Sequence, residues 1–419
     1  MPTRSGSRGR VAADATAPAD ASPSADTTDP RPFLPFSRPS IGARERQAVI
    51  EVMDSGWLTT GARAKEFESQ FAAFVGSTYA VALNSATAAL HLSLDALGVG
   101  PGDEVIVPTW TFASSAEVVV YRGARPVLVD VDRESLNATV DGVLGAITAK
   151  TRAVIAVHIA GRPLAVTELS EALAARGVPL VEDAAHSFPS RLPGSGRLAG
   201  TIGTIGAYSF YATKTITTGE GGMLVTDDSA LADRARLMSL HGISRNAWNR
   251  YTAAGSWYYE IEDAGFKYNM TDLAAALGIV QLSRADELLE ARRALAAAYT
   301  TGIAASPIAE LVEVPADPGD GSHAWHLYIL RLRLDRLRIG RGDVIDGLKQ
   351  LGIGTSVHFI PLHLHPYYRR VWGYAPADLP IAAAEFERVI SLPLWPGMSM
   401  SDVDRVIAGL EQVLGQVGD

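Results

Sequence analysis

Cysteine is absent from the 419 residues. That excludes disulfides, thiolate nucleophiles and cysteine-ligated zinc, and it fits a reducing compartment such as the cytoplasm. Long apolar runs are missing too. None approaches the roughly 20 residues of a membrane span, so no membrane partner is expected. Positive charge is not in excess: the net charge of −9 argues against a chain that tracks nucleic-acid phosphates. His358, His363 and His365 cluster without a carboxylate at a ligand spacing, so no metal site is expected. Gly219-Glu-Gly-Gly222 lacks the following Lys-Ser/Thr of a P-loop. Residues 1–32 contain no aromatic residue and almost nothing large and apolar. Such a segment cannot bury enough surface to offset its ordering entropy, so a disordered tail is expected there. It has no apolar core for a signal peptide, and Asp14, Asp20, Asp26 and Asp29 do not suit a transit peptide.

What is present is an ordinary globular composition, 47% hydrophobic and 20% charged, in a chain long enough for about two domains. Short continuous apolar runs alternate with helical stretches. Tyr79-Ala-Val-Ala-Leu83, Glu104-Val-Ile-Val107, Pro126-Val-Leu-Val129, Ala153-Val-Ile-Ala-Val157 and Pro179-Leu-Val181 read as strands. Strands of this kind are buried on both faces, which predicts an α/β fold with a mostly parallel sheet. Ligand residues in such sheets gather beyond the carboxyl ends of the strands. Asn84, residues 108–112, His158 and Asp183 all fall there. Residues 270–301 read as one long helical stretch, and further strand and helix patterns follow to the C-terminus.

Lys214 is the most informative residue. It lies between small hydroxyl residues and a glycine cluster, in Ser209-Phe-Tyr-Ala-Thr-Lys214-Thr-Ile-Thr-Thr-Gly219-Glu-Gly-Gly222. A lysine in a partly desolvated site can have a depressed pKa and act as an amine nucleophile. Its obvious use is a Schiff base with pyridoxal phosphate, whose ring nitrogen needs a carboxylate partner. Glu182-Asp183, at the end of an apolar run, supplies one, although such a dipeptide is more commonly a cap or loop pair. Thr87, in Asn84-Ser-Ala-Thr87, is by residue type equally an N-cap and a phosphate ligand.

These segments, taken in order, resemble the DegT/StrS-type sugar aminotransferases, within the fold type I pyridoxal phosphate enzymes. The resemblance runs from about Phe36 to the C-terminus. It also includes Gly56-Trp-Leu-Thr-Thr-Gly61, Pro108-Thr-Trp-Thr-Phe112, Lys267-Tyr-Asn-Met-Thr-Asp272 and Val357-His-Phe-Ile-Pro-Leu-His363. It implies a large cofactor-binding domain over residues 33–295, with helices on both faces of its sheet, and a smaller C-terminal α+β domain over 296–419.

By the same resemblance, Lys214 carries the cofactor, Asp183 pairs with its ring nitrogen and His186 approaches its phenolic oxygen. Ala86, Thr87 and Ser209 hold the phosphate. Phe112 stacks on the ring, with Trp110 the nearby alternative. Asn269 reaches the phosphate of a second subunit, so a homodimer with shared sites is implied. Arg245, His358 and His363 line the acceptor pocket. The reaction implied is amino transfer from L-glutamate, less often L-glutamine, to a nucleotide-linked keto-sugar. Ser256-Trp-Tyr-Tyr-Glu260 and His323-Ala-Trp-His-Leu327 favour C4 of a 4-keto-6-deoxy sugar. A C3 keto-sugar or keto-cyclitol aminotransferase and a non-enzymatic regulator are the alternatives. A sugar dehydratase of the family would carry histidine in place of Lys214. Thr215 and Arg162 depart from the family's commoner Asn and Gln.

Overall fold

The computed structural model describes residues 32–243 and 259–415. The expected tail, save Pro32, and Arg245 therefore lie outside the described residues.

Seven strands form the main sheet: β1 (Tyr79–Leu83), β2 (Glu104–Pro108), β3 (Arg125–Val129), β4 (Thr151–Val157), β5 (Leu180–Asp183), β6 (Ile205–Ser209) and β7 (Gly222–Thr226). Their spatial order is β1-β7-β6-β5-β4-β2-β3. Every pairing from β6 to β3 is parallel, while β7 runs antiparallel to both β6 and β1. All five residues of β2 and of β7 are buried, as expected of a sheet covered on both faces. Alternate side chains serve different cores. Leu224 of β7 packs with Leu83, Leu90 and Val181, whereas Met223 and Val225 pack with Phe67, Phe71 and Tyr208 on the other side.

A second, antiparallel sheet contains β8 (Val312–Glu313), β9 (Tyr328–Leu332) and β10 (Val389–Leu392), in the order β10-β9-β8. Leu330 and Leu332 pack there against Val344, Leu348, Val406 and Leu410 of the C-terminal helices. The first described residues also dock on this unit. The Leu34 amide donates to Gly352 O and the Gly354 amide to Leu34 O, both at 2.8 Å, and Leu34 joins the same apolar cluster. This anchoring carries Phe36 to the cleft between the sheets.

The helical stretch expected over residues 270–301 is two helices, Asp272–Leu282 and Ala285–Ala304. The break has a local cause. Ser283 Oγ turns back to donate to Val280 O at 2.7 Å, a bond that competes with helix continuation. Arg284 then leaves helical geometry (φ −113°, ψ 7°) and its guanidinium reaches Glu45 at 2.7 Å and Glu287 at 2.9 Å. The longer helix bridges both units: Ala285 and Leu288 pack on the main-sheet side, Leu295, Ala296 and Tyr299 on the small-sheet side. Among the described residues no helix is long and apolar enough to cross a membrane.

Candidate active site

The carboxyl ends of the parallel strands open into a cavity of about 570 Å3. Six of the residues singled out from sequence as cofactor ligands line it: Ala86, Thr87, Phe112, Asp183, His186 and Ser209. Lys214 and His358 line it too.

At one end the helix Ala86–Ala96 begins directly after β1. Ser85 is its N-cap, accepting from the Ala88 amide at 3.1 Å. Capping is therefore done by Ser85, and Thr87 faces the cavity instead. The first amides of a helix have no internal acceptor, and together with the helix dipole they suit an anion such as a phosphate. Gly222 makes this cradle possible. It sits opposite Leu83 and Ser209 in the sheet, and a Cβ there would collide with the Ser85 carbonyl and the Ala86 nitrogen. Ser209, at the end of β6, also lines the cavity.

At the other end β5 delivers Asp183. Ser115 Oγ donates to its Oδ2 at 2.8 Å and the Ala185 amide to its Oδ1 at 3.2 Å. Thr111 Oγ1 in turn meets Ser115 Oγ at 2.8 Å. Burial pushes the Asp183 carboxyl up, and the pull of Ser115, Ala185 and Lys214 does not fully cancel this. An acid held in this way is open to a cationic partner in the cavity.

Lys214 follows β6 in a turn closed by its amide donating to Tyr211 O at 2.9 Å. Its Nζ lies 3.4 Å from His326 Nε2. Enclosure pulls the amine down to about 8; the Asp183 charge opposes this and the Arg292 charge adds to it. Near neutral pH such an amine has a far larger free-base fraction than an ordinary lysine. His186 and His326 lie with ring centroids 4.3 Å apart. Burial holds both well below the ordinary histidine range. The Nδ1 atoms of both rings are buried and lack a hydrogen-bond partner among the described residues.

The aromatic alternatives separate. Trp110 is fully buried and donates from Nε1 to His358 O at 3.0 Å. Phe112 is 59% exposed, on the cavity wall. His358 stacks on Phe36 (centroids 5.1 Å, interplanar angle 26°) and meets Ser391 Oγ through Nδ1 at 3.0 Å. Burial pulls it down to about 4.

Two residues singled out from sequence are not brought to this cavity. His363 is fully buried, with Nδ1 2.8 Å from Thr109 Oγ1. Asn269 accepts from Lys267 Nζ at 2.7 Å and donates to Thr60 Oγ1 at 2.6 Å, without lining its own chain's cavity. Arg245 lies outside the described residues. Conversely, Phe36, Ser115, Arg292 and His326 were not picked out as site residues. The sequence singles out the segment 323–327 only as a whole. Arg292 did leave a signal: it falls on the apolar stripe Leu288, Leu295, Ala296, Tyr299, where a charge is out of place.

A parallel sheet ending in a lysine, a buried acid and a helix N-terminus around one cavity is the arrangement of a fold type I aminotransferase. The profile of the DegT/DnrJ/EryC1/StrS aminotransferase family matches residues 39–411, and the chain belongs to that family. It is 47% identical over 383 residues to the spore coat polysaccharide biosynthesis protein SpsC of Bacillus subtilis (strain 168), covering 91% of this chain and 97% of SpsC. Spr1654 from Streptococcus pneumoniae, a candidate sugar aminotransferase solved in its PMP form, superposes with a TM-score of 0.83 at 34% identity. The match covers 92% of this chain and 100% of that one. DesV from S. venezuelae, solved in complex with a ketimine intermediate, gives 0.79 at 34% identity over 91% of this chain and 98% of its own. The protein is a pyridoxal phosphate-dependent aminotransferase acting on a sugar.

Proposed function

We propose that the protein transfers an amino group from L-glutamate to a nucleotide-linked keto-sugar, at C4 of a 4-keto-6-deoxy sugar, in the cytoplasm. The observation that carries the reading is the single cavity joining Lys214, Asp183 and the helix N-terminus at Ala86. Pyridoxal phosphate, when bound, supplies a reversible attachment for the amino group and an electron sink for the carbon that loses or gains a proton.

The chain's own residues have separable tasks. The amides of Ala86 and Thr87, with the Thr87 and Ser209 hydroxyls, would hold the phosphate. Asp183, oriented by Ser115 and Ala185, would hold the ring nitrogen in its protonated form. His186 and Phe112 would bracket the ring. Among the described residues Lys214 is the one amine lining the cavity, and with its pKa lowered it is suited to hold a proton and give it up at Nζ. His326 Nε2, 3.4 Å away, can accept a hydrogen bond from that ammonium. His358 would contribute to the acceptor-sugar pocket. Lysine, rather than histidine, at position 214 supports transamination over dehydration.

A homodimer with shared sites is part of the proposal. Asn269 does not line its own chain's cavity, which leaves it available to a neighbour. Exposed Trp57, Leu58 and Tyr211 are apolar surface of the kind a second copy covers. The test is an amino-donor screen with glutamate and glutamine against 4-keto and 3-keto nucleotide sugars, read by mass spectrometry. Amination of a 4-keto substrate with glutamate is expected. Amination of only 3-keto sugars, or of keto-cyclitols, would overturn the ring-position reading.

A further inference from the structure

Arg292 is 1% exposed, on the helix that bridges the two sheets. Among the described residues no carboxylate lies within ion-pair distance of it. Its guanidinium instead binds main-chain carbonyls from three separate segments. Nη1 donates to Leu394 O at 2.9 Å, His326 O at 3.2 Å and Trp325 O at 3.4 Å. Nη2 donates to Thr213 O at 3.3 Å. Nε has no partner among the described residues. Burying an arginine without an anion is costly, and a leucine would suit this helix face better for stability alone.

The carbonyls it gathers are telling. Thr213 directly precedes Lys214, and His326 is the residue whose Nε2 meets Lys214 Nζ. One rigid fork thus spans the backbones of both members of the amine–imidazole contact, which lie 112 residues apart in sequence. We propose that Arg292 is a positioning residue for Lys214: it fixes the Lys214–His326 contact through their backbones and keeps a positive charge beside the amine. The proposal rests on the reading that Lys214 carries the cofactor.

The groups that face Lys214 are Asp183 from the end of β5, His186 just after it, His326 before β9, His358 before β10 and Arg292 itself. The three histidines are held below the ordinary histidine range by burial. They stay neutral between about pH 7 and 9, below the value of about 10 to which burial pulls Arg292, so a titration there reports on the Lys214 nitrogen.

The test titrates the visible absorbance of the holoenzyme against pH, and times the spectral change on mixing with L-glutamate, or L-glutamine where glutamate is inert. Arg292→Gln removes the charge and most of the bridge. Its midpoint should move up by about one pH unit and its rate should fall about tenfold or more. Arg292→Lys keeps the charge but, as a point ammonium, cannot span the same carbonyls. Its midpoint should stay near wild type while its rate falls about tenfold. A folded Arg292→Gln with unchanged midpoint and rate overturns the proposal, as does Arg292→Lys at the full wild-type rate. If neither variant folds, Arg292 is a core brace and the proposal is equally overturned. Lys214→Ala is run alongside. If borohydride still fixes pyridoxal phosphate covalently to that variant, the reading of Lys214 has failed. If the covalent link is lost while the Arg292 variants change nothing, only the positioning role has failed.

Discussion

Glu182 and Asp183 are neighbours in sequence, both acidic, both buried, both on β5. Strand alternation sends them to opposite faces of the sheet, and their surroundings make them different residues. Glu182 is saturated. His158 Nε2 lies 3.0 Å from its Oε2, the Gly200 amide donates to Oε2 at 2.8 Å and the Ile202 and Gly203 amides donate to Oε1. Burial pushes it up, but His158 and the Gly203 and Gly200 amides outweigh burial and hold it below the usual carboxylate range. Asp183 has two donors, lines the cavity and is left above that range by the same burial. A buried carboxylate with a full set of partners is architecture. One with an incomplete set, at a cavity, is a site.

Exchanging each acid for its amide tests this contrast, and the largest effect is expected at Asp183. Asp183→Asn should keep the fold, since its Oδ1 can accept from the Ala185 amide while its Nδ2 donates to the Ser115 hydroxyl, which can rotate to accept. It cannot carry the charge that holds a protonated ring nitrogen. Turnover should fall by about 100-fold or more, measured as product formed per folded enzyme. Turnover close to wild type would show that another acid serves the ring nitrogen.

Glu182→Gln should do the reverse. It removes the charge facing His158 and turns an amide nitrogen towards backbone N–H groups, leaving donors without acceptors. Breaking a buried pair of this kind costs about 3–5 kcal/mol, read as a lower midpoint in urea. The surviving folded fraction should retain much of its turnover, because Glu182 does not line the cavity. A variant with wild-type stability and no activity would make Glu182 the functional acid of the pair.

Much of this was legible in the sequence, and the reasons are physical. Runs such as Val105-Ile-Val107 and Ala153-Val-Ile-Ala-Val157 are continuous apolar segments, which a doubly covered sheet demands, so β2 and β4 could be read directly. Residues at the carboxyl ends of such strands, Asp183 among them, inherit a place at the cavity from topology. The break at Ser283-Arg284 was not legible, because it depends on Arg284 reaching Glu45 from a distant helix. Nor was the Lys214–His326 contact, whose members are brought together by Arg292 rather than by any local pattern. His363 and Asn269 sit in motifs that look like site motifs. Only packing shows that one is turned into the protein and that the other binds Lys267 and Thr60 without lining its own chain's cavity.

The smallest expected effect is on the pH dependence of stability, where the two acids should act with opposite sign. The folded carboxyl of Glu182 lies below its unfolded value, so its stabilisation is present above the unfolded pKa and is lost as pH falls through the folded one. The folded carboxyl of Asp183 lies above its unfolded value. Its contribution is fullest below the unfolded pKa and is lost as pH rises through the folded one. In cofactor-free wild type the two slopes oppose each other. Asp183→Asn should therefore make stability climb more steeply with pH across the carboxylate range, and Glu182→Gln should flatten or reverse the climb. Saturating wild type with pyridoxal phosphate should act like Asp183→Asn on this slope, because a cationic ring nitrogen favours the charged carboxylate. Urea midpoints collected across the acid range decide the matter. Identical slopes for wild type and both amide variants would mean that these two neighbouring acids do not differ electrostatically, and the contrast drawn from their hydrogen bonds would fail.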